Sequence, residues 1–482
     1  MRSLLVVLLL AGCSENPTNN PGTPACGDLA QFVLTDCDTA SLAQLQHEGA
    51  WNVQLRSPNG VTSAESFSLL AGKENVFGQP IEDRRLSDSN FYLSTQFVSR
   101  RSGRTIRYGL AACRASSPTQ FEGKLLQCAN GQPAGEATFE ARRVVRRESE
   151  QEAQNVTLVG EAPVAENEAV DVAIAGTRAF VVALGGGVTV FDITDRTKPT
   201  RITHIPAEGE YWNDVEVVGD VLYIASATKG VVLYDVKDLA APARLALSPV
   251  GNINVHTLLR EGQTLFAMSP SPVGETVLLN VTNPAAPVEL SRYRSPESDP
   301  RAGDHPHDAS FFEGRLYVNH WARGTVVADV TDLSRPIELA EIPGTSTTSH
   351  FSRVGRIGQD VILFEGGEDW GADLKLFNVT NLAATSQVGS FSLRPEVSIH
   401  NFLLKGTRIY AAWYQDGLRI IDVSNPAAPK QLGYFNTWRE SDPYRGSSFY
   451  DGALGVKAPG DGFIYVAESG RGLMIFQQPA EQ

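Results

Sequence analysis

Leu418-Arg-Ile-Ile-Asp422-Val-Ser-Asn425-Pro-Ala-Ala-Pro429 decides the fold, because the chain writes this stretch six times. Gly187-Val-Thr-Val-Phe-Asp192-Ile-Thr-Asp195 runs on to Pro199, and Gly230-Val-Val-Leu-Tyr-Asp235-Val-Lys-Asp238 runs on to Pro242. Thr276-Val-Leu-Leu-Asn280-Val-Thr-Asn283 reaches Pro287, and Thr325-Val-Val-Ala-Asp329-Val-Thr-Asp332 reaches Pro336. Leu374-Lys-Leu-Phe-Asn378-Val-Thr-Asn381 has Thr385 where the others have proline. Each copy is a short β-branched run followed by two Asx residues and a proline. The run reads as a buried strand, and the Asx and proline residues as the turn that ends it. Strand-only repeats at a spacing of about 40–50 residues point to a β-propeller rather than a helical solenoid.

Working outward from the signature, each repeat divides into four strands. In the first, Val170-Asp-Val-Ala-Ile-Ala and Ala179-Phe-Val-Val-Ala precede the signature strand, and Thr200-Arg-Ile-Thr-His204-Ile follows it. The same grammar places inner strands near Asp214, His256, Asp308, His350, His400 and Ala453, giving seven blades over residues 155–478. The seventh stops after its third strand. Asn155-Val-Thr-Leu-Val-Gly160 is of the right type to complete it, a closure that leaves no open sheet edge. The signature resembles the LVIVD repeat of bacterial surface and secreted propellers. That resemblance implies the fold and an extracellular or anchored setting, and no settled activity comes with it.

The 482 residues are too many for one ordinary domain. Trp51-Asn-Val-Gln-Leu55, Phe67-Ser-Leu-Leu70, residues 91–97, 105–108 and 137–141 read as strands, with one helix over residues 39–47. Residues 26–145 are therefore expected to form a small antiparallel β domain of barrel or sandwich type. Gly49-Ala-Trp51 ahead of a strand is similar to the opening of lipocalins, on three residues only. Residues 146–154 read as a charged, solvated linker. The expected class is all-β: a seven-bladed propeller preceded by a small disulfide-containing domain.

Residues 1–12 have the form of an export signal, with Arg2 ahead of a short apolar run. Leu10-Ala11-Gly12-Cys13 resembles a bacterial lipobox, which implies that Cys13 is acylated and anchors the chain to a membrane, with residues 13–25 as tether. Ser14 after the cysteine implies, by the same resemblance, the outer membrane of the cell envelope. Cys26, Cys37, Cys113 and Cys128 remain; four cysteines in an exported chain allow three connectivities. The sequence-local pairs Cys26–Cys37 and Cys113–Cys128 are expected. The formal charge of −14 argues against a nucleic-acid surface.

The propeller's two faces differ. One carries short repetitive turns such as Val218-Gly-Asp220; the other carries long individual segments around residues 207–214, 296–308, 366–373 and 437–451. Variable loops on a rigid scaffold are where binding concentrates. To that face map His256, His305, His307, Asp308, His320, His350 and His400, with Trp212, Trp321, Trp370, Trp413 and Trp438. The expected partner is a protein or glycan, with the indoles as stacking surfaces. His256, His307, His350 and His400 recur at the start of four consecutive inner strands, so four imidazoles can converge on the axis and hold a transition metal. Asp304 and Asp308 are candidates to orient them. A residue recurring at one blade position can equally hydrogen-bond the next blade, and blades one and two have Val170 or Asp171 and Asn213 or Asp214 there. No Gly-x-Ser-x-Gly, His-Glu-x-x-His or P-loop occurs. A non-enzymatic binding module is the favoured function and a metal-dependent enzyme the alternative.

Overall fold

The computed structural model describes residues 25–99, 102–249, 251–344, 348–440 and 448–478. The leader, Cys13 and the tether up to residue 24 lie outside the described residues. Among the described residues no helix is long and apolar enough to cross a membrane. The chain forms two compact units, one ending at Val145 and also taking in residues 448–450, the other holding the rest from Arg146.

The first unit is a single curled sheet of eight antiparallel strands rather than a sandwich. Each strand pairs with its sequence neighbours, and the first, Ala50–Arg56, also pairs with the last, Gln132–Arg143. The step between Asn75–Val76 and Asp83–Ser87 is the one left unpaired. Its interior is aromatic: fully buried Trp51 stacks on Phe67 at 5.8 Å and meets Phe121 edge-on at 5.1 Å. The indole N–H of Trp51 donates to His47 O at 3.1 Å, and the expected helix is a short 3-10 turn, Thr39–Gln44.

The disulfides are Cys26–Cys128 and Cys37–Cys113, which corrects the local pairing. Register explains why. Cys113 and Cys128 sit on neighbouring antiparallel strands, but Cys128 lies opposite Arg107, six residues before Cys113. At about 3.3 Å per residue that separates the two cysteines by ~20 Å. The segment from Cys26 to Cys37 spans the same interval and is stapled at both ends.

The second unit is a ring of seven four-stranded antiparallel blades. Blade one comprises Ala169–Ala175, Arg178–Ala183, Gly187–Asp192 and Thr200–Ile205. The first strands of blades two to seven are Trp212–Val218, Thr257–Glu261, Pro306–Phe312, Phe351–Ile357, Phe402–Lys405 and Ala453–Lys457. These first strands touch one another all the way round and line the axis. Signature strands are buried on both faces: Val188 and Val190 pack toward Val215 and Leu222 of blade two, whereas Phe191 packs toward Tyr465 and Ile475 of blade seven.

The signature turns do what their chemistry requires. Asp192 Oδ1 accepts from Thr194 N at 2.8 Å and Asp195 Oδ1 from Thr197 N at 3.0 Å. The same two bonds recur at Asp235 and Asp238, Asn280 and Asn283, Asp329 and Asp332, Asn378 and Asn381, and Asp422 and Asn425. Where Thr385 replaces proline, Asn381 caps a 3-10 turn, Leu382–Ala384. Thr157–Ala162 pairs with Gly472–Gln477 and closes blade seven, as the sequence predicts.

Residues 146–154 are exposed or half-exposed, as the sequence suggests, but they do more than link. Ala153–Gln154 pairs with Tyr434 and Phe435 as a fifth strand of blade six. Glu150 accepts from both terminal guanidinium nitrogens of fully buried Arg419, at 2.9 and 3.1 Å. An arginine inside an apolar strand needs a counter-charge, and this segment supplies it.

Candidate functional site at the propeller axis

The histidines converge because of a backbone irregularity that every blade shares. At the start of the first strand, one extra residue is doubled against a single partner. In blade four the register slips between Pro306 and Asp308, leaving His307 as the extra residue. Blades one, two and seven slip likewise at Val170, Asn213 and Leu454. In blades three and five His256 N and His350 N donate to Met268 O and Gly366 O, both at 2.9 Å. Those acceptor residues already face Thr257 and Phe351. His400 N donates to Ala412 O at 3.0 Å, just ahead of the Phe402–Ala411 pair. A bulge re-aims the side chain it carries. Here it turns four imidazoles toward the axis.

The result is an arc of rings across blades three to six. Centroids are 4.2 Å apart for His256–His307, 4.2 Å for His307–His350 and 4.6 Å for His350–His400, and Tyr414 follows His400 at 4.9 Å. All five side chains are buried. His307 Nδ1 donates to His350 O at 3.1 Å and His400 Nδ1 to Leu454 O at 2.8 Å, each on the following blade. Those bonds fix the tautomer: a carbonyl only accepts, so Nδ1 carries the proton and Nε2 is bare.

Glu368 faces the Nε2 atoms of His350 and His400. It comes from the hairpin between the second and third strands of blade five, held by Glu368 N donating to Thr348 Oγ1 at 2.7 Å. Its Oε2 lies 3.6 Å from His350 Nε2 and its Oε1 3.7 Å from His400 Nε2. Tyr414 OH donates to Oε1. His307 Nε2, His350 Nδ1 and Glu368 Oε2 are buried without a hydrogen-bond partner among the described residues. Burial pushes His256 down to about 3 and His400 to about 4, and holds His307 and His350 well below the usual imidazole range. Burial lifts Glu368 to about 7, against the pull of the Tyr414 hydroxyl. His307, His350 and Glu368 offer ligand atoms all within 4.8 Å of one another.

The remaining expected site residues divide. His305 stacks on Trp321 at 6.3 Å, and Trp321 lies 5.0 Å from His307, so both border the arc. His320 does not join it: its Nδ1 is 2.6 Å from Asp304 Oδ1, and Arg323 holds the other oxygen of Asp304 at 3.2 Å. Asp308 accepts from Ala309 N at 2.6 Å. Neither aspartate orients an axial imidazole; backbone carbonyls of the next blade do. Trp212, Trp370 and Trp413 are buried, and Trp321 and Trp438 half-buried, so none is an exposed stacking surface. The polar groups near the indoles are their own partners: Trp212 Nε1 donates to Glu210 at 3.1 Å and Trp438 Nε1 to Asp451 at 2.8 Å.

Beside the arc, on the first strands of blades one, two and seven, an ionic group lines the axis. Lys457 Nζ is 3.2 Å from Glu216 and 4.0 Å from Asp171. Asp214 Oδ2 accepts from Leu258 N at 2.6 Å, tying blade two to blade three.

Comparison with known proteins agrees with the fold. Residues 167–204, 210–248 and 401–437, which are blades one, two and six, match the LVIVD repeat. No curated protein matches the chain. Among solved structures, a chain of the mitotic checkpoint complex is 12% identical with a TM-score of 0.52, over 70% of this chain and 99% of that one. The WD40 β-propeller domain of Doa1 is 14% identical with a TM-score of 0.49, over 67% and 97%. At 12% identity the likeness to the checkpoint-complex chain is one of fold alone.

Proposed function

We propose that this LVIVD-repeat β-propeller is a binding module whose ligand sits at the axial histidine–glutamate cluster. The unpartnered atoms His307 Nε2 and Glu368 Oε2 carry the reading. A buried polar atom without a partner costs about 1–3 kcal/mol, and two in one cluster are a standing penalty that a ligand removes. A packing slot alone would have closed those bonds, as the backbone bonds from His307 Nδ1 and His400 Nδ1 do.

The test needs no knowledge of the ligand. Residues kept for a ligand strain the empty protein, so replacing them relaxes it. Glu368→Gln keeps an acceptor for Tyr414 and removes the buried charge. It should raise the melting temperature of extensively dialysed protein by about 2 °C, the effect of ~1 kcal/mol in a unit of this size. A fall of similar size would mean that Glu368 is structural and would sink the proposal.

The setting we propose is the cell envelope, probed by membrane fractionation. Acyl chains on Cys13 would hold the protein at the outer membrane, with the loop-rich face free to meet a protein or glycan. Cys13→Ser should shift the chain from the membrane to the soluble fraction; unchanged fractionation would refute the anchor.

A further inference from the structure

We infer that the ligand of this site is a divalent transition-metal ion, held by His307 Nε2, His350 Nε2 and a Glu368 oxygen. This rests on the binding reading above and names its ligand class. The distances favour an ion over a shared proton. His350 Nε2 and His400 Nε2 stand 3.6 and 3.7 Å from the Glu368 oxygens, too far for a hydrogen bond to bridge. Two atoms 3.6 Å apart subtend about 118° at an ion bonded to both at ~2.1 Å, close to a tetrahedral angle. One ligand atom from each of His307, His350 and Glu368 lies within 4.8 Å of the other two before any ion draws them in.

The surroundings are those of a ligand set already oriented. A metal-bound imidazole commonly donates its second N–H to a carbonyl, and His307 does so to His350 O at 3.1 Å. A metal-bound carboxylate commonly has its other oxygen hydrogen-bonded, and Tyr414 supplies that bond to Glu368. Tyr414 holds this place with φ of +24°, a backbone conformation that non-glycine residues rarely adopt and that clusters at functional sites. His400 stands next in the arc as a fourth nitrogen within a small side-chain movement. Imidazole nitrogens with one carboxylate suit zinc, iron, cobalt, nickel or copper; magnesium and calcium want all-oxygen cages.

The experiment uses the full chain, purified in detergent without a histidine tag and stripped with chelator. It is then titrated with Zn²⁺ and Co²⁺ against a competing chromophoric chelator, with elemental analysis after gel filtration. The expected result is about one ion per chain. Affinity should fall at least ~100-fold in His307→Ala and Glu368→Ala, and about 10–100-fold in Tyr414→Phe, which keeps all three ligands. His204→Gln, a histidine away from the axis, should bind as wild type does. Should His307→Ala fail to fold, Tyr414→Phe and Glu368→Gln carry the test. Folded wild type that binds neither metal would overturn the inference, as would binding lost in His204→Gln and retained in His307→Ala. If Glu368→Gln stabilises the protein while no metal binds, the binding module stands and the metal falls. If Glu368→Gln destabilises it and no metal binds, both fall.

Discussion

Blades one and two are built like blades three to six yet carry no histidine at the doubled residue. Val170 and Asn213 occupy it in the first pair, and His256, His307, His350 and His400 occupy or abut it in the others. The backbone device is the same and only its side chain differs. The bulge is therefore a property of how a blade begins, and the chemistry is added to it. In blades three to six the histidines there meet one another ring to ring, whereas Val170 of blade one packs against the core it shares with blade two. The matched repeats fall on blades one, two and six, and the segments of blades four and five that bring His307, His350 and Glu368 together lie between them.

Buried charge sharpens the contrast. In blade six Arg419 is fully buried, yet it meets Glu150, Asp416 O and Asn436, the last two at 2.8 and 2.7 Å. In blade seven Glu468 Oε2 accepts from Gly470 N at 2.8 Å and Arg471 N at 2.6 Å. Glu368, on the corresponding hairpin of blade five, leaves its Oε2 open. Arg419 and Glu468 are tied to neighbouring charge and backbone, whereas Glu368 Oε2 is left beside the His350 ring.

The larger expected effect is one of pH and follows from two buried carboxyls of the ring, Glu468 and Glu365. Burial, with Asp451 nearby, lifts Glu468 to about 8, and burial lifts Glu365 to about 7. A carboxyl whose folded value is raised adds stability that is fully present below the unfolded value and lost as pH rises through the folded one. Above about pH 7.5 the histidines are about nine-tenths neutral in the unfolded state as well and largely drop out. Between about pH 7.5 and 9 the propeller's unfolding free energy should fall, by up to ~1.4 kcal/mol per pH unit for each such group. Glu468→Gln, which can still accept both backbone bonds, should flatten that slope. A wild-type profile that is flat or rises over this window would contradict the assignment of Glu468 as a satisfied but protonated structural group.

The ring was legible because its signals are local. Asx spacing, a proline and an apolar run fit within a dozen residues and recur, and the closing strand Thr157–Ala162 follows from counting strands. What the sequence hid depends on long-range register. Cys113 and Cys128 are neighbours in sequence and ~20 Å apart on their paired strands. The segment around Glu150 looks solvated until Arg419, 269 residues away, is seen to need it. The axial histidines were visible as a periodic set. Glu368 was not, since one acid in a Gly-Gly-Glu-Asp turn has no period, and acids also stand at the corresponding turns of blades six and seven, as Asp416 and Glu468. The indoles misled because polar neighbours in sequence became their partners in the fold.

The smaller expected effect tests the opening comparison directly. If the doubled residue is a neutral socket facing the axis, a histidine placed there in a blade that lacks one should be accepted. Asn213→His is predicted to change stability by less than about 0.5 kcal/mol, as a substitution away from packed features does. Two residues further on, Val215 is fully buried between blades one and two, and Val215→His should cost ~3 kcal/mol or more by burying an unpaired polar ring against an apolar core. Denaturant unfolding of the two variants, read at the propeller transition, separates the cases. Equal losses would mean that the doubled position is as constrained as the core, and that the histidines of blades three to six were kept there by packing. A small loss at residue 213 beside a large one at residue 215 would mean that the ring sets where a side chain points and leaves open what it is.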